Sequence, residues 1–177
     1  MFHMIQKWSR YQVLQQFFDF PKKAFLIREL SRNTKLAATA IRIHLKALLK
    51  EGLIAKEVGG LYHSFKAQID SPLYKTLKWQ NLVLRLQQSG LLVSLEKSLY
   101  PTCVLLFGSA SRGEDTEMSD IDIFVQAKLQ KIDMNKFEKE LNRKINILFE
   151  SNLNILGPEL LNNLSNGIVL YGYLKVL

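Results

Sequence analysis

Asp120 and Asp122 stand two residues apart in the run Asp120-Ile121-Asp122-Ile123-Phe124-Val125. Side chains on a strand alternate faces, so the two carboxylates share one side while Ile121 and Ile123 turn into the core. Their Cα atoms then lie about 7 Å apart. Carboxylates that close repel each other unless a cation sits between them. A hard divalent ion such as Mg2+, held by one or two carboxylates plus substrate phosphates, suits the pair. Any half-buried strand with a solvated face shows the same alternation, so the pair has to be read with its surroundings. Ahead of it lies an apolar run, Val104-Leu105-Leu106-Phe107, which reads as a buried strand ending at Gly108-Ser109. Between that turn and Asp120 lie residues 110 to 119.

The run GSASRGEDTEMSDID, residues 108–122, resembles the signature of the minimal nucleotidyltransferase family: Gly-Ser, ten residues, Asp-x-Asp. The likeness runs from around residue 100 to 172. It implies that Gly108 and Ser109, at the start of a helix, bind a triphosphate, with Arg112 and Ser119 as further nucleotide-binding residues. It implies that Asp120 and Asp122 are the catalytic pair and hold Mg2+, with ATP or another nucleoside triphosphate as substrate. The expected product is a nucleotidylated, most simply adenylylated, hydroxyl on a protein or nucleic acid. Backbone N–H groups at a helix start do attract anions. No Gly-Lys-Ser/Thr phosphate loop or dinucleotide glycine fingerprint competes with this reading.

Active members of that family carry a third carboxylate on the following strand. The matching position in RKINILF, residues 143–149, is Asn146. An amide is no general base at neutral pH and a poor replacement for an anionic ligand. Glu150 is a weak substitute, because four residues along a strand is about 13 Å, whereas paired catalytic metals sit about 4 Å apart. Two readings therefore stay open. One is a Mg2+-dependent nucleotidyltransferase. The other is a catalytically weak or inactive transcriptional regulator or antitoxin that binds nucleotide and DNA.

The elements needed to hold this site can be read on either side of it. Residues 133–143 predict a charged helix, 144–149 a third strand, Gly157-Pro158 the start of a helix to Asn166, and GIVLYG, residues 167–172, a last strand. Upstream, Ser71-Pro72 opens a helix toward Gly90 that carries Leu73, Leu77, Leu82, Leu84 and Leu86, and a shorter helix spans Leu91 to Leu99. Its leucines suit either packing against one of the chain's own domains or a dimer seam.

The N-terminal stretch is of another kind. Apolar residues at Ile5, Trp8, Val13, Leu14, Phe17 and Phe18 have roughly helical spacing, and Pro21 closes that segment. A second helix is expected from Ala24 to Arg32, with Leu26, Ile27 and Leu30 inward, and a third from Ala37 to Lys50, with Ile41, Leu45 and Leu48 as its buried stripe. Gly52 is the expected stop, and two short strands follow around Gly59-Gly60. This order, with FLIREL, AIRIHLKALLKEGLI and YHSFKA, resembles the winged helix-turn-helix of prokaryotic regulators. The resemblance implies that the third helix enters the major groove of double-stranded DNA and the hairpin lies along the backbone. Thr39, Arg42, Ile43 and Lys46 would face the bases, with Arg42 suited to guanine and Ile43 to a thymine methyl. Lys35, Lys56 and Lys66 would contact phosphates. A winged helix used for dimerisation or protein contact is the alternative, and His44 reads as a packed or surface residue.

Charge agrees with the division. The net charge is +8, yet residues 1–80 hold 14 Lys and Arg against 5 Asp and Glu, while residues 81–177 hold 10 against 11. The excess positive charge thus sits in the first half, as expected of a nucleic-acid-binding module joined to a different domain. The expected fold is α+β: a winged helix-turn-helix at 1–70, a helical connector at 71–99, and a small nucleotidyltransferase-fold α/β domain with a mixed sheet at 100–177. A single cysteine, Cys103, excludes an internal disulfide and suits a reducing cytoplasm. No apolar stretch is long enough for a membrane span. Paired DNA half-sites would imply a homodimer, and the family resemblance implies a small helical toxin partner or a protein acceptor.

Overall fold

In the computed structural model, residues 8–57 and 63–175 are described. The expectations for Ile5 and for the Gly59-Gly60 turn fall outside them. The chain forms two compact units, residues 1–78 and 79–177.

The first unit begins with three helices, α1 (Ser9–Asp19), α2 (Ile27–Thr34) and α3 (Ala38–Lys50). Two strands follow, β1 (Ile54–Glu57) and β2 (Ser64–Ala67), paired antiparallel with Ile54 opposite Ala67. Its core gathers Val13, Leu14 and Phe17 from α1, Leu30 from α2, the predicted stripe Ile41, Leu45 and Leu48 from α3, and Phe65 from β2. Phe17 and Phe25 meet edge to face with ring centroids 5.3 Å apart, a favoured aromatic geometry.

Three details differ from the sequence expectation. The second helix begins at Ile27, not Ala24, because Phe25 is drawn into an antiparallel bridge with Phe65, with N–H to carbonyl distances of 2.7 and 2.9 Å in the two directions. Backbone that pairs with a strand is extended and cannot also be helical. Leu26, the next residue, keeps extended backbone and is exposed rather than inward-facing. Trp8, expected on the first helix, precedes it and is also exposed.

Helix α4 (Pro72–Gln88) starts in the first unit and ends in the second. Tyr74 and Leu77 belong to the first core, and Leu82 and Leu86 to the second. The Tyr74 hydroxyl donates to the carbonyl of Phe17, 2.7 Å away. That carbonyl lies in the last turn of α1, where intrahelical donors run out. Leu73, on the opposite side of the first turn, is exposed.

The second unit adds α5 (Leu91–Leu99), β3 (Cys103–Phe107), the four-residue α6 (Gly108–Ser111), β4 (Ile121–Val125), α7 (Asn135–Leu141), β5 (Ile145–Phe149), a 3-10 turn at Leu153–Ile155, α8 (Pro158–Ser165) and β6 (Ile168–Gly172). The sheet has the order β5-β4-β3-β6. β4 and β5 run parallel, and β3 is antiparallel to both β4 and β6, so the sheet is mixed. The parallel pair is joined through α7, because a parallel connection needs a crossover.

Both faces of this sheet are covered. Val104, Leu106, Ile121, Ile123, Val125 and Ile145 pack with Leu86, Leu91, Leu95, Phe137 and Leu141 from the helices. On the other face Cys103, Leu105 and Phe124 pack with Leu153 and Leu164. Two-sided burial accounts for the near-continuous apolar run of β3. Among the described residues no helix is long and apolar enough to cross a membrane.

Candidate functional site

The polar exception on the second of these faces lies at the ends of the strands. Phe107, Asp122 and Asn146 form one cross-strand row, Phe107 opposite Asp122 and Asp122 opposite Asn146. Alternation puts Asp122 on the side of Phe124, while Ile121 and Ile123 are fully buried on the other side. Asp120 immediately precedes β4 and is exposed. Thus the first turns of the chain away from the hydrophobic core leave both carboxylates at one rim of the sheet.

Directly after Phe107 the chain turns at Gly108, with φ of +71°. A Cβ there would lie 2.6 Å from Oδ2 of Asp122. The left-handed backbone favours glycine, and a Cβ there would push the Asp122 carboxylate aside. The Gly-Ser turn and the Asp-x-Asp strand are therefore neighbours in space as well as in motif.

Gly108 and Ser109 open α6, as the resemblance implied, but the helix is four residues long. Its macrodipole is correspondingly small, so any pull on an anion comes from the local N–H groups of the first turn. Ser111 Oγ donates to the Gly108 carbonyl at 2.8 Å, which tightens that turn.

Asn146 lies beside Asp122, its Nδ2 donating to Asp122 Oδ1 at 3.1 Å. The amide thus occupies the side of Asp122 where a third acid would stand, and it donates a hydrogen bond where an acid would add a negative charge. Glu150 is four residues further along, accepting from the Asn152 N–H at 2.8 Å. Among the described residues no group of three or more His, Cys, Asp or Glu side chains stands together as a metal cluster. The donor set at the rim is two carboxylates and an amide. This donor set suits a hard, oxygen-seeking divalent ion that keeps most of its remaining positions for water and phosphate.

The other expected nucleotide ligands are engaged locally. Arg112 caps α6 and pairs with Glu114, Nε to Oε2 2.9 Å, both side chains well exposed. Ser119 Oγ accepts from the Thr116 N–H at 2.9 Å and so closes the turn 116–119.

One residue absent from the sequence reading organises this loop. Arg143 Nη1 meets Asp115 Oδ2 at 2.5 Å. Its Nε and Nη2 donate to the Ser119 carbonyl at 2.9 and 2.7 Å, and Nη2 also reaches the Asp120 carbonyl at 3.0 Å. Nothing in sequence spacing marks a partner 28 positions away. The only available signal is an arginine directly before the third strand and several acids in the gap between the motif halves.

Glu138 fixes the start of β5 by accepting the Ile145 N–H at 3.0 Å, with Lys144 Nζ 3.3 Å from its other oxygen. The donated N–H holds its carboxyl below the ordinary range, against an opposing effect of burial and with help from Lys144.

In the first unit, Thr39, Arg42, Ile43 and Lys46 are all exposed on α3, opposite its buried stripe. Ile43 is 65% exposed, which is unusual for isoleucine on a helix whose other face supplies core. Lys35 and Lys56 are exposed, and Lys35 caps α2 in a left-handed conformation. Lys66 pairs with Glu57, Nζ to Oε1 2.6 Å, so part of its charge is already answered. His44 is half-buried, and burial, then Arg10, push its imidazole pKa down.

A search of curated proteins finds no match for the chain. Residues 92–173 match the family model described as polymerase beta, nucleotidyltransferase. The matched stretch contains the Gly108–Ser109 turn, Asp120, Asp122 and Asn146, and the match supports a nucleotidyltransferase fold for this part of the chain.

Proposed function

We propose that the second unit binds a nucleoside triphosphate with Mg2+ at the Gly108–Asp122 rim, and that the protein transfers a nucleotidyl, most simply adenylyl, group to a protein or nucleic-acid hydroxyl. The observation that carries this reading is the carboxylate of Asp122 lying against the left-handed turn at Gly108, 2.6 Å from where a Cβ would stand. Ser109 and its neighbours bind the phosphate tail, and Arg112 and Ser119 lie within the same loop. Asp120 and Asp122 hold the divalent ion. When bound, such an ion would screen charge on the α-phosphate and the departing pyrophosphate. The acceptor oxygen bonds to the α-phosphorus as the bond to the bridging oxygen breaks, and the hydroxyl proton passes to water, since Asn146 cannot take it.

That last feature favours a second reading, in which the unit binds nucleotide without rapid transfer and the protein acts as a transcriptional regulator or antitoxin. Incubation with α-labelled ATP, Mg2+ and cell extract separates the two. Label transfer that vanishes in Asp122→Ala supports the enzyme; calorimetric uptake of Mg2+ and ATP without transfer supports the regulator. Uptake by neither wild type nor variant would sink both.

The first unit is proposed to be a winged helix that binds double-stranded DNA through Thr39, Arg42, Ile43 and Lys46 on α3, with Lys35, Lys56 and Lys66 near phosphates. The basic first half and the exposed Arg42–Lys46 face support it. Affinity should fall steeply with salt, and Lys46→Ala should reduce the slope of log K against log salt by about 1. A slope near zero in the wild type would count against DNA. This reading calls for a second copy at paired half-sites, a protein acceptor or toxin partner, and a cytoplasmic setting.

A further inference from the structure

We propose that Arg143 is a positioning residue for Asp120. It fastens the loop 115–120 to the start of β5 and thereby sets where the Asp120 carboxylate stands relative to Asp122. This rests on the reading of Asp120 and Asp122 as the ion-holding pair.

Around its tip, the loop that delivers Asp120 is held by local bonds between Thr116 and Ser119. Its turn 116–119 is closed by Ser119, and Met118 at the tip is almost fully exposed. Asp120 itself lies just outside β4, and the first ladder bond, from the Ile121 N–H to the Lys144 carbonyl at 2.9 Å, holds only the peptide on its far side. Arg143 adds a hold on the peptide on the near side of Asp120. One face of its guanidinium fork takes the Asp115 carboxylate, and the remaining nitrogens take two consecutive carbonyls, those of Ser119 and Asp120. Two consecutive carbonyls gripped by one planar group restrain the two peptide planes that flank the Asp120 Cα, and with them the direction in which the Asp120 side chain leaves the backbone.

The clamp is itself held firmly. Asp115 is 5% exposed and Arg143 13%, so the pair is shielded from the solvent screening that weakens surface ion pairs. Arg143 directly precedes Lys144 and Ile145, whose backbone joins β4 and is further fixed by Glu138: Lys144 accepts from the Ile121 N–H at 2.9 Å, and Ile145 donates to Glu138. The site is thereby tied to the strand that also carries Asn146. A lysine could keep the charge opposite Asp115, but a single ammonium cannot present the fixed fork that spans a carboxylate and two carbonyls.

The test uses the full-length chain and two measurements. In ion-free protein, hydrogen–deuterium exchange should rise across residues 115–121 in Arg143→Lys and stay as in wild type along β3. In calorimetry with Mg2+ and α,β-methylene-ATP, the same variant should bind about 10- to 100-fold more weakly, the usual scale for groups that orient metal ligands. Its urea midpoint serves as the control for folding. Should Arg143→Lys fail to fold, Asp115→Asn removes one arm of the clamp isosterically and is expected to move both readings in the same direction. Unchanged loop exchange, or unchanged ion and nucleotide affinity in a folded variant, would overturn the assignment. Faster loop exchange in the variant with no ion uptake even by wild type would instead sink the nucleotide reading and leave the clamp standing.

Discussion

Asn146 is the residue on which the proposed chemistry turns. Its amide sits on Asp122 at hydrogen-bond distance, so it orients that carboxylate without adding charge to the rim. Asn146→Asp would create a third acid in register with Asp122, on the same cross-strand row. The expected outcome is tighter Mg2+ binding in the presence of nucleotide, and faster label transfer from α-labelled ATP by about 100- to 10,000-fold, the range a single general base contributes. A folded Asn146→Asp protein that binds Mg2+ no better than wild type would show that this position does not address the ion. At this scale the sequence was a good guide to the row itself. Gly108, Asp122 and the identity of the third position are fixed by motif spacing and strand alternation, both local properties. Arg143 was invisible because its partners lie in a loop whose path is set by tertiary hydrogen bonds, not by any periodicity.

Among the elements, those with one buried face were legible and those recruited by a distant partner were not. The stripe Ile41, Leu45 and Leu48 marks α3 because three apolar residues at helical spacing need no further information. The second helix was expected to begin three residues early, since no propensity in Ala24-Phe25-Leu26 reports a bridge to Phe65 forty positions on. The junction of α7 with β5 makes a prediction of its own. The Glu138 carboxyl is held below its ordinary range by the Ile145 N–H, so its charged form favours the folded state. That contribution is present at pH values above the ordinary range and is lost as the pH falls through the lowered folded-state value. Glu138→Gln keeps an acceptor for Ile145 but cannot titrate. In urea denaturation the stability gap between wild type and Glu138→Gln should therefore shrink from neutral toward acid pH. A gap of constant size would mean the carboxylate's charge contributes nothing there.

At the scale of the whole molecule, composition had announced two parts, because positive charge and the Gly-Ser…Asp-x-Asp motif fall in different halves. What composition could not show is how the parts share chain. A boundary at residue 70 follows the end of the hairpin, yet Tyr74 is a fully buried member of the first core, capping α1 through Phe17 and lying 5.3 Å from the Phe18 ring. A fragment of residues 1–70 lacks that ring. By the usual cost of deleting a buried aromatic it should be less stable than residues 1–90 by about 3–5 kcal/mol. Circular dichroism melts of the two fragments would check this, equal midpoints counting against it. The same helix restricts how such a protein can be recombined. A graft that swaps the first unit for another must carry the opening turns of the following segment as luggage, and a donor whose opening turns lack an aromatic at the Tyr74 position would arrive with a hole in its base.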